Sequence, residues 1–304
     1  MDIFLQLFNA VSVSSILILV AIGLAFTFGL MGVINMAHGE FIMIGAYVTY
    51  VMQFVVKAIF GREDAGLVFI LLIPLSFLVA AFIGFILEKT LVRLLYGRPL
   101  DTLLATWGVS MVLQQTAREI FGAPNVQVVS PKWLDGGFTV LGTVLPFKRF
   151  FIIGLVVLCV AGIYIYLQKT PWGRRTRAVM QNRVVAACMG IPVRQIYSCT
   201  FALGSGLAGI AGCALALLGP IGPSIGTYYL VDAFMVAVLG GIGQLSGTII
   251  GAFVIGFFNT FFETLSSACI AKVIVFAAII LFLQFRPAGI MAVRSRSLEG
   301  DEAA

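Results

Sequence analysis

Charged side chains are scarce in this sequence. Asp, Glu, Lys and Arg make up 11% of the 304 residues and hydrophobic residues make up 61%, whereas a soluble domain has about 25% charged and about 45–50% apolar residues. The mean hydropathy is +1.08. This balance excludes a soluble globular protein, because long uncharged stretches of this kind suit a bilayer. The sequence therefore predicts an integral membrane protein with no soluble domain of useful size.

Motifs for catalysis and nucleotide binding are also missing. The single His, His38, excludes sites built from several His residues, including HExxH proteases. The sequence contains no GxxxxGK[ST] phosphate loop and no GxSxG turn. The GxGxxG at 204–209 lies in an apolar segment without a preceding strand, which argues against a dinucleotide site. We therefore expect no enzyme, metal or cofactor, and an intramembrane enzyme built on His38 and Glu40 is the weaker alternative.

Cysteine and net charge exclude two further classes. The five cysteines are odd in number and four lie in apolar segments, so we expect no disulfides. The net charge of +6 comes from Lys and Arg residues scattered over short loops, which is typical of membrane orientation and not of a nucleic-acid surface. The first residues, MDIFLQLF, lack the basic start of a cleaved signal peptide, so we expect the first segment to be retained.

Hydropathy predicts one all-α transmembrane domain over residues 1–304, a helical bundle of about nine membrane segments. The range is eight to ten, because the fourth segment is polar and the seventh is short. An irregular loop is expected at 122–149 and a tail at 287–304. The Gly-rich junction LGGIGQLSGT beside the seventh segment favours a broken or re-entrant helix. The predicted segments cover residues 10–31, 40–57, 65–87, 102–121, 150–168, 195–218, 230–243, 246–264 and 270–286.

The distribution of Lys and Arg predicts the orientation. With nine crossings and the N-terminus in the periplasm, twelve of the 19 Lys and Arg residues fall on the inner side and seven on the outer side, in line with the positive-inside rule. The loop 169–194 and the C-terminus then face the cytoplasm. The inner set is Lys89, Arg93, Arg98, Lys169, Arg174, Arg175, Arg177, Arg183, Arg194, Arg286, Arg294 and Arg296. The outer set is Lys57, Arg62, Arg118, Lys132, Lys148, Arg149 and Lys272.

The stretch 173–192, GRRTRAVMQNRVVAACMGIP, is the longest polar run compatible with a helix. Apolar residues alternate with arginines here, which predicts one short amphipathic helix that ends at Gly190 and Pro192. One interpretation is a surface helix that only satisfies the charge rule. The other is a docking helix for a cytoplasmic partner. The arginines of the helix are Arg174, Arg175, Arg177 and Arg183.

Polar residues inside the segments are candidates for a solute path, because a charge in the bilayer is costly and usually faces the protein interior. Asp232 and Glu263 lie near predicted segment ends, so an interfacial position is the alternative for both. Asn35, His38 and Glu40 join the first two segments, where we expect them near the cytoplasmic face in a structural or gating role. The path candidates are Asp101, Thr106, Gln114, Gln115, Asp232 and Glu263.

Small residues recur at helical spacing in two segments. Gly204, Ala208 and Gly212 share one helix face, and Gly247 and Gly251 form a GxxxG pair. Such faces permit close contact between helices. A dimer interface or a sliding gate is one explanation, and tight packing within the chain is the favoured one.

Six stretches, spread over nearly the whole chain, match one family of membrane proteins. They are GLAFTFGLMGVINMAHGEFIMIGAYVTY at 23–50, DTLLATWGVSMVLQQ at 101–115, FGAPNVQVVSP at 121–131, the basic stretch at 173–192, AFMVAVLGGIGQLSGTIIGA at 233–252 and LQFRPAGI at 283–290. On these stretches the sequence resembles the permeases of branched-chain amino acid-type ABC importers. Through ATWGVSMVLQQ and PNVQVVSPKWLDGG it looks most like the urea ABC transporter permease branch of that family.

The resemblance implies a bacterial inner-membrane subunit that pairs with a second homologous permease, two cytoplasmic ATPases and a periplasmic solute-binding protein. Urea is the substrate that this branch implies, and the hydroxyl and amide groups of the fourth segment suit such a planar neutral solute. One alternative is the same kind of ATP-driven importer with branched-chain amino acids or short amides as substrate. Another is a passive urea channel. The basic stretch then resembles a coupling helix, with Ala186, Ala187 and Gly190 at the family's small positions.

Overall fold

A computed structural model of the chain describes residues 3–61, 66–140, 143–265, 267–287 and 289–291. Arg62, Arg294 and Arg296 of the orientation count, and most of the expected tail, lie outside these ranges. The described residues form eleven α-helices and one antiparallel pair of strands, β1 (Gly137–Val140) and β2 (Thr143–Pro146). The helices are α1 (Ile3–Met31), α2 (His38–Phe60), α3 (Phe69–Thr90), α4 (Pro99–Phe121), α5 (Phe147–Lys169), α6 (Pro171–Gln181), α7 (Arg183–Cys188), α8 (Val193–Leu218), α9 (Ile225–Gly240), α10 (Leu245–Leu265) and α11 (Ala268–Phe285).

The all-α membrane architecture is confirmed. Seven of the described helices are long and apolar enough to cross a membrane, namely α1, α2, α3, α5, α8, α10 and α11. The other two predicted segments are also helices, but α9 has only 16 residues and α4 is not apolar enough to meet the same criterion. Nine is therefore an approximate number of spans, and the sequence identifies the doubtful ones correctly.

The centre of the bundle is built by α1 and α8. In the most apolar stretch of each helix, 83% of the residues are buried. Glycines let the two backbones touch, because a Cβ atom added at Gly23 would lie 2.5 Å from the carbonyl oxygen of Gly204. Gly212 packs in the same way against the backbone of α2, and Gly247 against Gly240. The small-residue faces thus serve packing within the chain, as the sequence favoured.

Two local predictions are wrong. The loop at 122–149 is not irregular throughout, since it contains the β1–β2 hairpin and its last residues begin α5. The basic stretch is two helices and not one, because Asn182 interrupts it with extended backbone. The Asn182 side-chain oxygen then accepts the N–H groups of Val184 and Val185 as the cap of α7, and an Asn is well suited to that position.

The second helix begins halfway along the first. His38 Nε2 lies 3.2 Å from the carbonyl oxygen of Val20, which is eleven residues, or about 16 Å, before the end of α1 at Met31. Residues 32–37 are long enough to run back over this distance, since six extended residues reach about 20 Å. The prediction that Asn35, His38 and Glu40 lie near the cytoplasmic face is therefore wrong, because they lie level with the middle of a membrane-spanning helix.

The short helix α9 begins at the same level. Gly226 in its first turn packs against the backbone of Gly39, with no room for a Cβ atom on either residue. The other end of α9 leads to Gly243, which packs against Gly29 near the end of α1 and against Met180 of α6. At 16 residues, α9 is about 24 Å long, which is shorter than a full span, and it starts inside the bundle. The broken or re-entrant helix stays a prediction, because α9 and α10 are two helices that pack together across the turn at 241–244.

Candidate functional site

Two helix N-termini meet in the interior of the bundle, where Gly39 of α2 packs against Gly226 of α9. We call this place the half-helix junction. Glu40 lies in the first turn of α2 and is 1% exposed. A carboxyl group at a helix N-terminus is favourably placed in the field of the backbone dipoles. The junction therefore combines a buried acidic group with two helix starts inside a membrane protein, an arrangement that transporters use at substrate sites.

A hydrogen-bond network connects Glu40 to α4 and α9. Glu40 Oε1 accepts from Ser110 Oγ at 2.8 Å and from Gln114 Nε2 at 2.8 Å. Gln114 Nε2 also donates to Thr227 Oγ1 of α9 at 3.1 Å. The polar residues of α4 thus face inward at a spacing of four residues, and Gln114 lies where three helices meet.

Several buried polar atoms at the junction have no hydrogen-bond partner within the described part of the chain. They are Asn35 Nδ2, His38 Nδ1 and Glu40 Oε2. Unpaired polar atoms are rare in protein interiors because each costs free energy, so their concentration in one place needs an explanation. The same residues also have a structural role, since Asn35 Oδ1 accepts the N–H of Ala37 at 3.0 Å. The junction is therefore an ordered turn with unused hydrogen-bonding capacity.

A cavity of about 640 Å³ opens beside the junction, between α4, α9 and α11. Gln114 and Thr227 form its polar wall next to Glu40. Val231, Met235 and Phe276 supply an apolar wall. A volume of this order is within the usual range for small-molecule sites, which combine apolar walls with a few polar groups.

An ion pair crosses the cavity wall from α9 to α11. Asp232 Oδ2 lies 2.9 Å from Lys272 Nζ, and the side chains are 6% and 41% exposed. Asp232 is therefore buried within the protein and paired. Lys272, which the orientation count placed on the outer side, lies within α11. The sequence offers no signal for this pair, because 40 residues separate its members.

The other four path candidates do not line the cavity. Asp101 is exposed with its Oδ2 atom 3.8 Å from Arg98 Nη1, and Gln115 is exposed and donates to Glu119 at 2.8 Å. Glu263 is exposed near the end of α10. Thr106 is buried, but its hydroxyl oxygen accepts the N–H of Met36 at 3.1 Å, so it ties α4 to the turn before α2.

The basic helices form one end of the bundle, which we call the basic end. A hydrophobic cluster fixes them to the ends of α1 and α8. Ala186 is buried in this cluster, whereas Ala187 and Gly190 are exposed. All four predicted arginines, Arg174, Arg175, Arg177 and Arg183, are exposed. The cluster consists of Leu30, Val179, Ala186, Ile196 and Tyr197.

Apolar residues accompany these arginines on the surface. Val184, Val185 and Met189 are 64%, 57% and 77% exposed. An exposed surface that mixes large apolar side chains with arginine is typical of a protein interface. This mixture is compatible with the docking interpretation and with a surface helix at the membrane interface, so the docking role of the basic stretch stays a prediction.

A buried carboxylate at the basic end is a feature that the sequence did not single out. Glu88 at the end of α3 is fully buried. It accepts a hydrogen bond from the Tyr96 hydroxyl and another from Ser198 Oγ of α8 at 2.5 Å, and Arg93 Nε lies 3.7 Å away. Burial, and then the hydrogen bond to Glu88, raises the pKa of Tyr96 above its ordinary value. The network ties the α3–α4 connection to α8 directly above the basic helices.

Comparison with known proteins agrees with this architecture. The family described as the permease component of branched-chain amino acid transport systems matches residues 6–283. The high-affinity branched-chain amino acid transport permease BraD of Pseudomonas aeruginosa is 30% identical over 293 residues, which cover 94% of each chain. LivH of Escherichia coli is 30% identical over 295 residues, also 94% of each chain. No solved structure matches the chain.

A more distant relative is a sugar permease. The ribose import permease RbsC of Bacillus subtilis is 31% identical over 166 residues, which cover 49% of this chain and 52% of the relative. The two full-length relatives are both named for branched-chain amino acid transport, so they do not support the expected urea branch, and the amino acid alternative fits better. The chain is a multi-pass transport component and not an enzyme, and it belongs to the family of permease components of branched-chain amino acid transport systems.

Proposed function

We propose that this chain is the inner-membrane permease subunit of an ATP-driven, binding-protein-dependent importer for branched-chain amino acids. The observation that carries the proposal is the cavity between α4, α9 and α11, where a carboxylate and an ammonium group lie next to an apolar wall. Full-length relatives named for branched-chain amino acid transport support the same substrate class.

The cavity chemistry suits a zwitterion with an apolar side chain. Lys272 Nζ attracts a carboxylate and Asp232 attracts an ammonium group, while Met235 and Phe276 offer contacts to an aliphatic side chain. Urea has no charge and no apolar part, so neither the ion pair nor the apolar wall gives it an advantage. Branched-chain amino acids therefore replace urea, which the resemblance to the urea branch implied, as the proposed substrate.

The basic end supplies the contact to the energy source in this proposal. The chain has no phosphate-binding loop of its own, so ATP is hydrolysed by a cytoplasmic ATPase that docks on α6 and α7. The exposed arginines of the two helices and the apolar Val184, Val185 and Met189 form the docking surface. The second permease, the second ATPase and the periplasmic binding protein complete the importer, with the N-terminus of this chain in the periplasm and its C-terminus in the cytoplasm.

The helix α9 connects the docking surface to the cavity. Asp232 and Met235 of α9 line the cavity, and the helix leads to Gly243, which packs on Met180 of α6. A displacement of α6 by the ATPase therefore acts on the end of the helix that carries half of the cavity wall. Coupling in this proposal is a rigid-body movement of α9 against α2 at the half-helix junction.

Uptake measurements in a strain that lacks only this chain test the proposal. Restoring the chain is expected to restore ATP-dependent uptake of labelled leucine and to leave uptake of labelled urea unchanged. Restored urea uptake with no gain in leucine uptake would reverse the substrate assignment. Leucine or urea flux through the purified chain alone, in liposomes without ATP, would favour a passive channel instead.

A further inference from the structure

We propose that Gln114, held in place by Glu40, is the acceptor for the substrate's ammonium group in the cavity. The inference rests on the proposed function, because it assigns the ammonium-recognising group for that same amino acid substrate. Gln114 is the substrate contact, and Glu40 is a positioning residue behind the cavity wall.

The surrounding acceptors determine which end of the Gln114 amide faces Glu40. Glu40 Oε1 already accepts the hydroxyl proton of Ser110 at 2.8 Å, and a carboxyl oxygen in this position needs a donor from Gln114. Only the NH2 group of the amide donates. The same nitrogen lies 3.1 Å from Thr227 Oγ1 and 3.3 Å from Ser110 Oγ. Both hydroxyl oxygens can accept, and Ser110 has already given its own proton to Glu40, so the two protons of the NH2 group find acceptors in this position.

The amide carbonyl oxygen is therefore left for the cavity. Gln114 lines the cavity, and its Oε1 atom has no hydrogen-bond partner among the described residues, since every contact of its side chain is made by Nε2. A carbonyl oxygen at a cavity wall accepts a hydrogen bond from an ammonium group, which carries three donors.

A second acceptor of the cavity completes the recognition. Asp232 lines the same cavity, and only its Oδ2 atom is engaged by Lys272. A substrate ammonium between Gln114 and Asp232 leaves Lys272 to attract the substrate carboxylate. This division of tasks distinguishes an amino acid from a fatty acid of the same shape, because the fatty acid leaves both acceptors unpaired.

Glu40 acts on the substrate only through Gln114. It is 1% exposed and is not part of the cavity wall. An amide at position 40 presents a donor or an acceptor equally well, so the Glu40→Gln variant lets the Gln114 amide turn around. The turned amide then presents NH2 groups to an ammonium group, which repels it. A role limited to holding helices together predicts no such dependence on the substrate's ammonium group.

The test uses the complete importer in proteoliposomes with leucine-loaded binding protein. Gln114→Leu and Glu40→Gln are each expected to slow leucine import about tenfold, the effect of one lost hydrogen bond to a charged group. The double variant is expected to match Gln114→Leu alone, because Glu40 has no effect once Gln114 is gone. Gln115→Leu is the matched control, since Gln115 is exposed and contacts only Glu119, and it is expected to retain the normal rate.

Equilibrium binding to the solubilised importer adds a readout specific to the ammonium group. Labelled leucine is expected to bind the wild type more tightly than labelled 4-methylpentanoic acid, which lacks the amine, and Gln114→Leu is expected to reduce that difference about tenfold. The preference that remains in Gln114→Leu is the contribution of Asp232. Equal binding of the two probes, or binding of neither, would overturn the proposal. So would a further loss on adding Glu40→Gln to Gln114→Leu.

Two outcomes separate this inference from the proposed function. If the wild type imports leucine and Gln114→Leu does so at the same rate, the inference fails and the importer assignment stands. If the wild type imports no amino acid, the importer assignment fails. Ser110→Ala is the second variant in case Glu40→Gln does not assemble, because it removes one donor to Glu40 and keeps the carboxyl group, and it is expected to give a smaller loss in the same direction.

Discussion

The ion pair between Asp232 and Lys272 predicts an asymmetric response to removing its members. Lys272→Met leaves a carboxylate that is 6% exposed without its partner, whereas Asp232→Asn leaves an ammonium group that is 41% exposed. The long aliphatic stem of a lysine lets its charge move toward water. We therefore expect the lysine substitution to destabilise the protein more than the aspartate substitution.

Burial sets the magnitude of each effect. Removing one partner of a fully buried pair costs about 3–5 kcal/mol, and the stranded Asp232 lies close to that limit. In Asp232→Asn the unpaired Lys272 ammonium group is still partly exposed. The expected loss of stability is therefore about 1 kcal/mol, as for an ion pair near the surface. The double variant Asp232→Asn/Lys272→Met contains no unpaired charge and is expected to recover most of the loss.

Thermal unfolding of the purified chain in one detergent compares the three variants directly. The expected order of Tm is wild type and double variant highest, then Asp232→Asn, then Lys272→Met. An equal decrease of Tm in the two single variants would show that the difference in exposure between Asp232 and Lys272 does not determine the cost of an unpaired charge. All three variants are expected to lose leucine import, because each removes a charge that the substrate needs, and import by the double variant at the wild-type rate would contradict the proposed site.

Three further predictions concern other parts of the chain. Reversing the charge of Arg174 and Arg175 is expected to abolish ATP hydrolysis stimulated by liganded binding protein while membrane insertion is retained, and unchanged stimulation would exclude the docking role. Gly39→Ala is expected to lower stability by about 1–3 kcal/mol through overpacking, whereas the control Gly108→Ala, with open space around it, is expected to be neutral or stabilising in the same Tm measurement. The raised pKa of Tyr96 means that its contribution to stability is complete below the ordinary tyrosine pKa of about 10 and is lost as the pH rises above it. Tyr96→Phe is therefore expected to flatten the alkaline limb of a plot of Tm against pH, and an unchanged limb would count against the buried hydroxyl.

The positions of the helices are predictable from the sequence, and the reason is physical. A chain in a bilayer must satisfy its backbone hydrogen bonds internally, so a long apolar run is a helix whatever its neighbours are. The predicted segment at 195–218 and the observed α8 (Val193–Leu218) differ by two residues at one end only. The break in the basic stretch is not predictable in the same way, because Asn182 is compatible with a helix interior and becomes a cap only in context.

The site is less predictable, because it depends on contacts between distant residues. Gln114 and Asp232 stand out as polar residues among apolar ones. This signal can be read within a single segment, without knowledge of how the helices pack. The depth of His38 and Glu40 follows from how residues 32–37 fold back, and hydropathy carries no information on that. Lys272 falls at the start of a predicted segment, and only the packing of α11 against α9 makes it the partner of Asp232.

The half-helix junction has an electrostatic consequence for the transport cycle. Each helix N-terminus carries about +0.5 elementary charge, so the two that meet at Gly39 and Gly226 together favour about one negative charge, which Glu40 supplies when it is ionised. Local neutrality then needs no ion from outside. A zwitterion that passes this point also carries no net charge, so the membrane potential neither drives nor hinders its passage, and the direction of import is left to the ATPase.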